Sequence, residues 1–285
     1  MFNQLIINKF KMQETAVSSQ PLKQLTYGLV EVRDLSVVFG ERANTVTVLD
    51  QINFTVEPGS FVCLLGPSGC GKSTILNAIA GFLRPTKGEV LVDEQTVTKP
   101  GADRGFVFQQ YSLLPWKTTA QNVEFGLRIK GVAKAKRREL VNEYLNRVGL
   151  YKHRDAYPHQ LSGGMKQRAS IVRALINSPS VLLMDEPFSA LDAQTRHMMQ
   201  ELLMEIWQEF KTTVIFVTHD IEEAVLLGDR ILVMGVNPGH IKEDLEISLP
   251  RPRHIDDTLT PEFMQISRQI LATIREETLK SMVSS

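Results

Sequence analysis

The sequence predicts an α/β fold with a mostly parallel core sheet, and three observations carry that expectation. Strand-like and helix-length segments alternate along the chain. Two short runs, Phe61 to Leu65 and Val181 to Asp185, are continuously apolar to their ends or nearly so, which suits central strands covered on both faces. Between about residues 112 and 178 the strand signals disappear and helical apolar spacing replaces them, so an inserted α-helical subdomain is expected there.

In chain order, residues 1–27 mix Leu5, Ile6 and Ile7 with Lys9 and Lys11, then turn polar through Ser18, Ser19 and Pro21. A signal peptide needs a longer apolar centre and a small-residue cleavage site, so this segment is expected to be a flexible N-terminal extension. Leu29 to Val37 and Val46 to Val56 alternate apolar with polar residues, which predicts an antiparallel, half-exposed pair and hence an antiparallel β subdomain. A helix is expected over Thr74 to Ala80 and a strand over Arg104 to Phe108. Within the helical insertion, Thr118 to Ile129 and Lys136 to Val148 carry helical spacing. The basic run Lys134, Lys136, Arg137 and Arg138 is expected to be a solvated helix face.

After Asp192 a long helical pattern runs to about Phe210, followed by a buried strand at Thr213 to Val217 and a helix at Asp220 to Leu227. Strands resume at Arg230 to Met234. A Pro-rich start at Pro250 and Pro252 then leads to a last helix from Pro261 to about Lys280. The domain expectation is thus a core domain at 28–250 and a C-terminal helical extension at 251–285.

Composition removes several function classes. Lys plus Arg and Asp plus Glu each number 32, so no global field favours a polyanion, and nucleic acid is not an expected partner. Cys63 and Cys70 cannot make a disulfide framework and lack metal-ligand spacing, which fits a reducing compartment. The longest apolar runs fall far short of the ~20 residues a spanning helix needs.

The chemistry-bearing motifs begin with Gly66-Pro67-Ser68-Gly69-Cys70-Gly71-Lys72-Ser73, which stands between a strand and a helix that opens near Thr74. This is the pattern of a phosphate-binding loop, and it makes a P-loop NTPase core the expected architecture. Glycines let successive N–H groups turn toward one anion, the helix N-terminus adds partial positive charge, and Lys72 reaches the terminal phosphates. Ser73 offers a hydroxyl to Mg²⁺. Cys70 is expected to contribute its backbone rather than a reactive thiol. Val181 to Asp185 delivers Asp185 and Glu186 beside that loop, the first suited to Mg²⁺ and the second to accepting a proton from an attacking water. Ser162, Gly163 and Gly164 open another helix and make a second anion-binding helix start.

From about Leu29 to Pro250 the chain resembles the nucleotide-binding subunit of the ABC transporter family. The phosphate loop, the segment Leu161-Ser162-Gly163-Gly164 and the pair Asp185-Glu186 stand in that family's order and spacing. The resemblance implies two such subunits packed head to tail, with Ser162, Gly163 and Gly164 of one closing over ATP held by the other. It also implies an aromatic contact to adenine from Phe39, with core packing as the alternative, and a Gln109 contact to Mg²⁺ and the attacking water. Gln110 leaves that register open. Asp192 would be an interfacial carboxylate, and His219 would bond the γ-phosphate and orient the water. Met165, where many relatives carry Gln, resembles the nitrate, sulfonate and taurine importer branch, as do Leu113-Leu114-Pro115-Trp116 and Leu249-Pro250-Arg251-Pro252-Arg253. The same resemblance implies an ATPase that uses ATP and Mg²⁺ and works with a second ATPase subunit, transmembrane permease subunits and a periplasmic or lipid-anchored solute-binding protein. Its place would be the cytoplasmic face of the inner membrane, as a peripheral protein. A soluble ABC ATPase acting on nucleic acid or ribosomes is the alternative.

Overall fold

The computed structural model describes residues 27–40 and 45–283, so the extension expected at residues 1–27 lies outside the described residues except for Tyr27. Two sheets organise the chain. The first is antiparallel and contains β1 (Val30–Phe39), β2 (Val46–Val56), β4 (Lys87–Val92) and β5 (Gln95–Thr96), in the order β2-β1-β4-β5. The second has six strands in the order β10-β9-β3-β8-β7-β6. Its members are β3 (Phe61–Leu65), β6 (Arg104–Val107), β7 (Val181–Asp185), β8 (Thr213–Thr218), β9 (Arg230–Gly235) and β10 (His240–Glu246). All pairs in it are parallel except β9 with β10.

The helices are α1 (Lys72–Ala80), α2 (Thr119–Val123), α3 (Phe125–Ile129), α4 (Lys134–Arg147), α5 (Gly163–Leu175), α6 (Ala193–Phe210), α7 (Ile221–Leu227) and α8 (Pro261–Val283). No strand falls between 112 and 178, as the loss of strand signal predicts.

The continuous apolar runs are explained by cores on both faces of the main sheet. Because side chains alternate along a strand, Phe61, Cys63 and Leu65 face a layer that includes Ile171 of α5, Leu203 of α6, Val225 of α7 and Phe263 of α8. Val62 and Leu64 face the other way, toward Ile75 and Ile79 of α1 and Val30 and Val56 of the antiparallel sheet. Phe61 is fully buried, with its ring edge-on to Trp207 at 5.8 Å and 5.7 Å from Phe216.

Several local expectations are corrected. The antiparallel sheet has four strands rather than a pair, since β4 and the short β5 extend it beside β1. The strand expected at Arg104 to Phe108 ends at Val107. The helical pattern of Thr118 to Ile129 is two short helices meeting at Glu124. Thr118 caps the first of them in a reciprocal box with Gln121. The basic run is only partly a solvated face, because Arg137 turns inward to Glu124 at 3.3 Å. The final helix runs on to Val283.

The Phe61 packing yields a test. Phe61→Ala removes a fully enclosed ring at the centre of the main sheet, so urea unfolding should show a loss of about 3–5 kcal/mol. A loss below about 1 kcal/mol would contradict this packing.

Candidate functional site

Register decides where the site forms. In the main sheet Leu65 pairs with Thr218, Asp185 with Val217 and Val107 with Met184. The C-terminal ends of β3, β8, β7 and β6 therefore reach one edge together, and the segments that continue from them bring the phosphate loop, His219, Glu186 and Gln109 to one place.

The phosphate loop folds around Lys72. The side chain is only 5% exposed, and its ammonium donates to the carbonyls of Gly66 at 2.7 Å and Pro67 at 2.9 Å. Gly71 precedes α1 with φ +97°, and a Cβ there would come within 2.4 Å of Leu49 Cδ2. Only glycine accepts both the backbone turn and that contact. Pro67, Ser68 and Gly69 form the outer rim, with Ser68 and Gly69 exposed, and Thr74 is half-buried in the first turn of α1. Cys70 is buried 3.7 Å from the Lys72 ammonium. Burial pushes its thiol up further than the Lys72 charge pulls it down, so the thiol stays protonated and serves as packing.

Opposite the loop, Ser73 donates its hydroxyl proton to Asp185 at 2.9 Å. Burial raises the Asp185 carboxyl above the ordinary range and the neighbouring Glu186 charge adds to that, while the Ser73 hydrogen bond and Lys72 pull the other way. Glu186 occupies the left-handed region at φ +42°, unusual for a residue with a side chain. Its N–H is held by the Val217 carbonyl at 3.0 Å, and its own carbonyl accepts from the Ser189 hydroxyl at 2.9 Å. The conformation swings the carboxylate off the strand. There one oxygen, Oε2, accepts from Gln109 Nε2 at 3.4 Å and lies 3.1 Å from His219 Nδ1. Gln109, rather than Gln110, is thus the glutamine that meets the acid.

Behind His219 sits a group that motif spacing did not single out. Thr218 accepts the Asp220 N–H at 3.0 Å, and Asp220 caps α7 through the Glu223 N–H at 3.1 Å. Arg196 of α6 lies 3.6 Å from Asp220. Glu223 is buried and accepts from Gln200 Nε2 at 2.9 Å. Burial raises its carboxyl, with a contribution from the Asp220 charge, against the hydrogen bonds of Thr218 and Gln200. The available signal was an Asp with a Glu three residues later at a helix start.

The remaining expected residues stand apart from this cluster. Phe39, at the end of β1, is 47% exposed, which removes the core-packing alternative for its ring. Ser162 caps α5 by accepting the Met165 N–H at 3.3 Å. Gly163 lies against Tyr111, and buried Gly164 against Thr195 on α6. Asp192 accepts the Thr195 N–H at 2.9 Å as the cap of α6, and that bond holds its exposed carboxyl below the usual range. Among the described residues no hydrogen bond joins Ser162 or Asp192 to the Lys72, Glu186 and His219 cluster.

The donor set fits a hard divalent cation. Ser73 Oγ and Asp185 Oδ1 converge at the start of α1, and Gln109 lies near the adjoining acid. Among the described residues no group of three or more His, Cys, Asp or Glu forms a self-sufficient metal cage. Mg²⁺ characteristically takes one or two protein oxygens and completes its shell from phosphate and water.

Comparison with known proteins agrees with this architecture. The family model described as ABC transporter matches residues 49–189. An uncharacterized ABC transporter ATP-binding protein of Methanocaldococcus jannaschii is 50% identical over 253 residues, covering 89% of this chain and 94% of that protein. The nitrate import ATP-binding protein of a Synechocystis strain is 48% identical over 252 residues, covering 86% and 95%. Among solved structures, a dimeric ATP-binding cassette in a post-hydrolysis state bound to ADP and Pi superposes with a TM-score of 0.69 at 34% identity. It covers 78% of this chain and 100% of that chain.

Glu223 gives a pH-dependent expectation. Its folded-state value lies above the ordinary glutamate value of about 4.3, so the stability associated with its protonation is complete below that value and is lost as pH rises through the folded one. Glu223→Gln cannot ionise, so its urea midpoint relative to the parent chain should rise between pH 4 and pH 8. A relative midpoint that falls over that range would show the carboxylate to be favourably ionised.

Proposed function

The chain belongs to the ABC transporter family, and on that footing we propose that it is the ATP-hydrolysing subunit of an importer for a small anionic solute of the nitrate, sulfonate or taurine type. The observation that carries the catalytic assignment is the Glu186 carboxylate, held between Gln109 and His219 one residue beyond a strand whose last member, Asp185, is tied to Ser73.

In this reading the terminal phosphates enter the loop at Lys72, whose ammonium exchanges the Gly66 and Pro67 carbonyls for phosphate oxygens. The backbone N–H groups from Ser68 to Thr74 line the same anion site, beside Gly66 and Pro67, with Phe39 against the base. Ser73, Asp185 and Gln109 would hold Mg²⁺, which when bound neutralises phosphate charge. Glu186 takes the proton of the attacking water, while His219 bonds the γ-phosphate and orients that water together with Gln109.

Ser162, Gly163 and Gly164 open α5 without touching this cluster in the same chain. They act in trans, on a nucleotide held by a second ATPase subunit, and Asp192 lies at that interface. Among the described residues no helix is long and apolar enough to cross a membrane. The transport pathway is therefore assigned to separate permease subunits. A periplasmic or lipid-anchored solute-binding protein supplies the solute, and the ATPase sits peripherally on the cytoplasmic face of the inner membrane. We assign residues 28–250 to the motor, about 112–178 to the helical subdomain that meets the permease, and 251–285 to an extension.

An ABC ATPase acting on nucleic acid or ribosomes is not favoured. The formal net charge is zero, and the helical insertion is short, without the long coiled coil such machines require.

Two substitutions test the assignment. Glu186→Gln should leave ATP binding intact and lower turnover by at least about 10²-fold, measured in the assembled transporter; rapid steady-state hydrolysis would remove Glu186 as the base. Lys72→Ala should weaken ATP binding at least about tenfold in a calorimetric titration. Unchanged affinity would overturn its role at the phosphates.

A further inference from the structure

The C-terminal helix carries a residue that its own pattern does not explain. Phe263 and Ile270 are fully buried or nearly so, and Ile266 and Ile274 pack partly against the same core. The residue that continues the seven-residue spacing of Phe263 and Ile270 is Glu277, and it too is fully buried. Glutamate is almost never fully enclosed unless paired. Here Oε2 accepts the Val236 N–H at 3.2 Å, and Oε1 lies 2.8 Å from Lys280 and 3.6 Å from Lys242 of β10. Burial works to raise this carboxyl, but those hydrogen bonds and the two lysine charges outweigh it and hold it below the ordinary range.

Val236 opens the turn between β9 and β10, and that turn rests on the phosphate loop at backbone distance. A Cβ on Gly239 would come within 2.1 Å of the Cys70 carbonyl, and one on Gly66 within 2.9 Å of Met234. Gly239 also exchanges backbone hydrogen bonds with β2, donating to Val48 at 2.9 Å and accepting from Asp50 at 3.1 Å. Between them lies Leu49, the residue against Gly71. The turn is stiffened from within by His240, whose Nδ1 lies 2.9 Å from the Pro238 carbonyl. One continuous set of contacts therefore runs from Glu277 through residues 234–239 to the phosphate loop at Gly66 and Cys70. Gly239, the buried residue of the turn, has no room for even a Cβ against the Cys70 carbonyl.

We propose that Glu277 is a positioning residue for the nucleotide site: by holding the Val236 N–H it clamps the β9–β10 turn against the phosphate loop and keeps residues 66–73 in their nucleotide-binding shape. An apolar residue at 277 would fill the same place on the helix but leave that N–H unpaired and the turn free to lift. The inference deepens the ATPase assignment and rests on it only for its effect on ATP.

Hydrogen–deuterium exchange on the full nucleotide-free chain reads the clamp directly. Glu277→Ala should speed exchange of the amides of 66–73 and 236–240 by about tenfold or more. Glu277→Gln keeps a carbonyl acceptor for Val236 and should restore protection to within about threefold of the parent. Phe263→Leu, a core change at the far end of the same helix, should lower the melting temperature without altering exchange in 66–73. Should Glu277→Ala fail to fold, Glu277→Asp keeps the charge one methylene short of Val236 and should still speed exchange there. With ATP, Glu277→Ala should raise KM by about fivefold with kcat nearly unchanged. Parent-like protection of 66–73 in Glu277→Ala or Glu277→Asp, or an equal loss in Phe263→Leu, overturns the clamp. Failure of the parent chain to bind ATP would overturn the functional assignment instead, and the exchange result would still decide this one.

Discussion

Parallel register in the six-stranded sheet is the constraint on which the rest depends. Leu65, Asp185 and Thr218 end neighbouring strands at nearly the same level because their backbone ladders pair Leu65 with Thr218 and Asp185 with Val217. A shift of one residue in any strand would turn its side chains to the opposite face and separate the acid from the lysine. The two cores hold the register in place. Each central strand presents large apolar side chains to both faces, so slippage would expose apolar surface on two sides at once.

Within that frame, the site is assembled from groups that the local environment would otherwise disfavour. Lys72 is buried among carbonyls, Asp185 and Glu223 are pushed toward their neutral forms by burial, and Glu186 sits in a left-handed backbone conformation. Each departure costs of order 1–3 kcal/mol. Each persists because the sheet edge and its helices fix the surroundings more firmly than the group can relax them. The same holds for Glu277, where a core position on α8 carries a carboxylate. Its cost is offset by the Val236 N–H, by Lys242 of β10 and by Lys280 one turn on along α8.

The geometry also separates what one chain completes from what it leaves open. Lys72, Ser73, Asp185, Gln109, Glu186 and His219 meet at one sheet edge, where Ser73 bonds Asp185, Gln109 and His219 meet Glu186, and Lys72 donates to the loop carbonyls of Gly66 and Pro67. Ser162 commits its hydroxyl to the cap of α5, and Asp192 commits its carboxylate to the cap of α6. Both caps satisfy only one first-turn N–H each, Met165 for Ser162 and Thr195 for Asp192.

The sequence by itself determined the features whose physics is local. Continuous apolar runs mark strands covered on both faces, glycines at fixed spacing before Lys72 mark a backbone that must turn around an anion, and Ser162, Asp192 and Asp220 mark helix starts. Only the tertiary structure decided the features that rest on a partner distant in the chain. Strand β10 reads as a charged segment, His-Ile-Lys-Glu-Asp-Leu-Glu, and becomes a strand because the edge of β9 offers it a ladder. The choice of Gln109 over Gln110 needed the position of Glu186, 77 residues away. Glu277 looks like one more solvated charge on an amphipathic helix until Val236 supplies the N–H that justifies burying it. Periodicity reports how a segment meets its average surroundings, whereas these assignments turn on single contacts between segments that periodicity does not see.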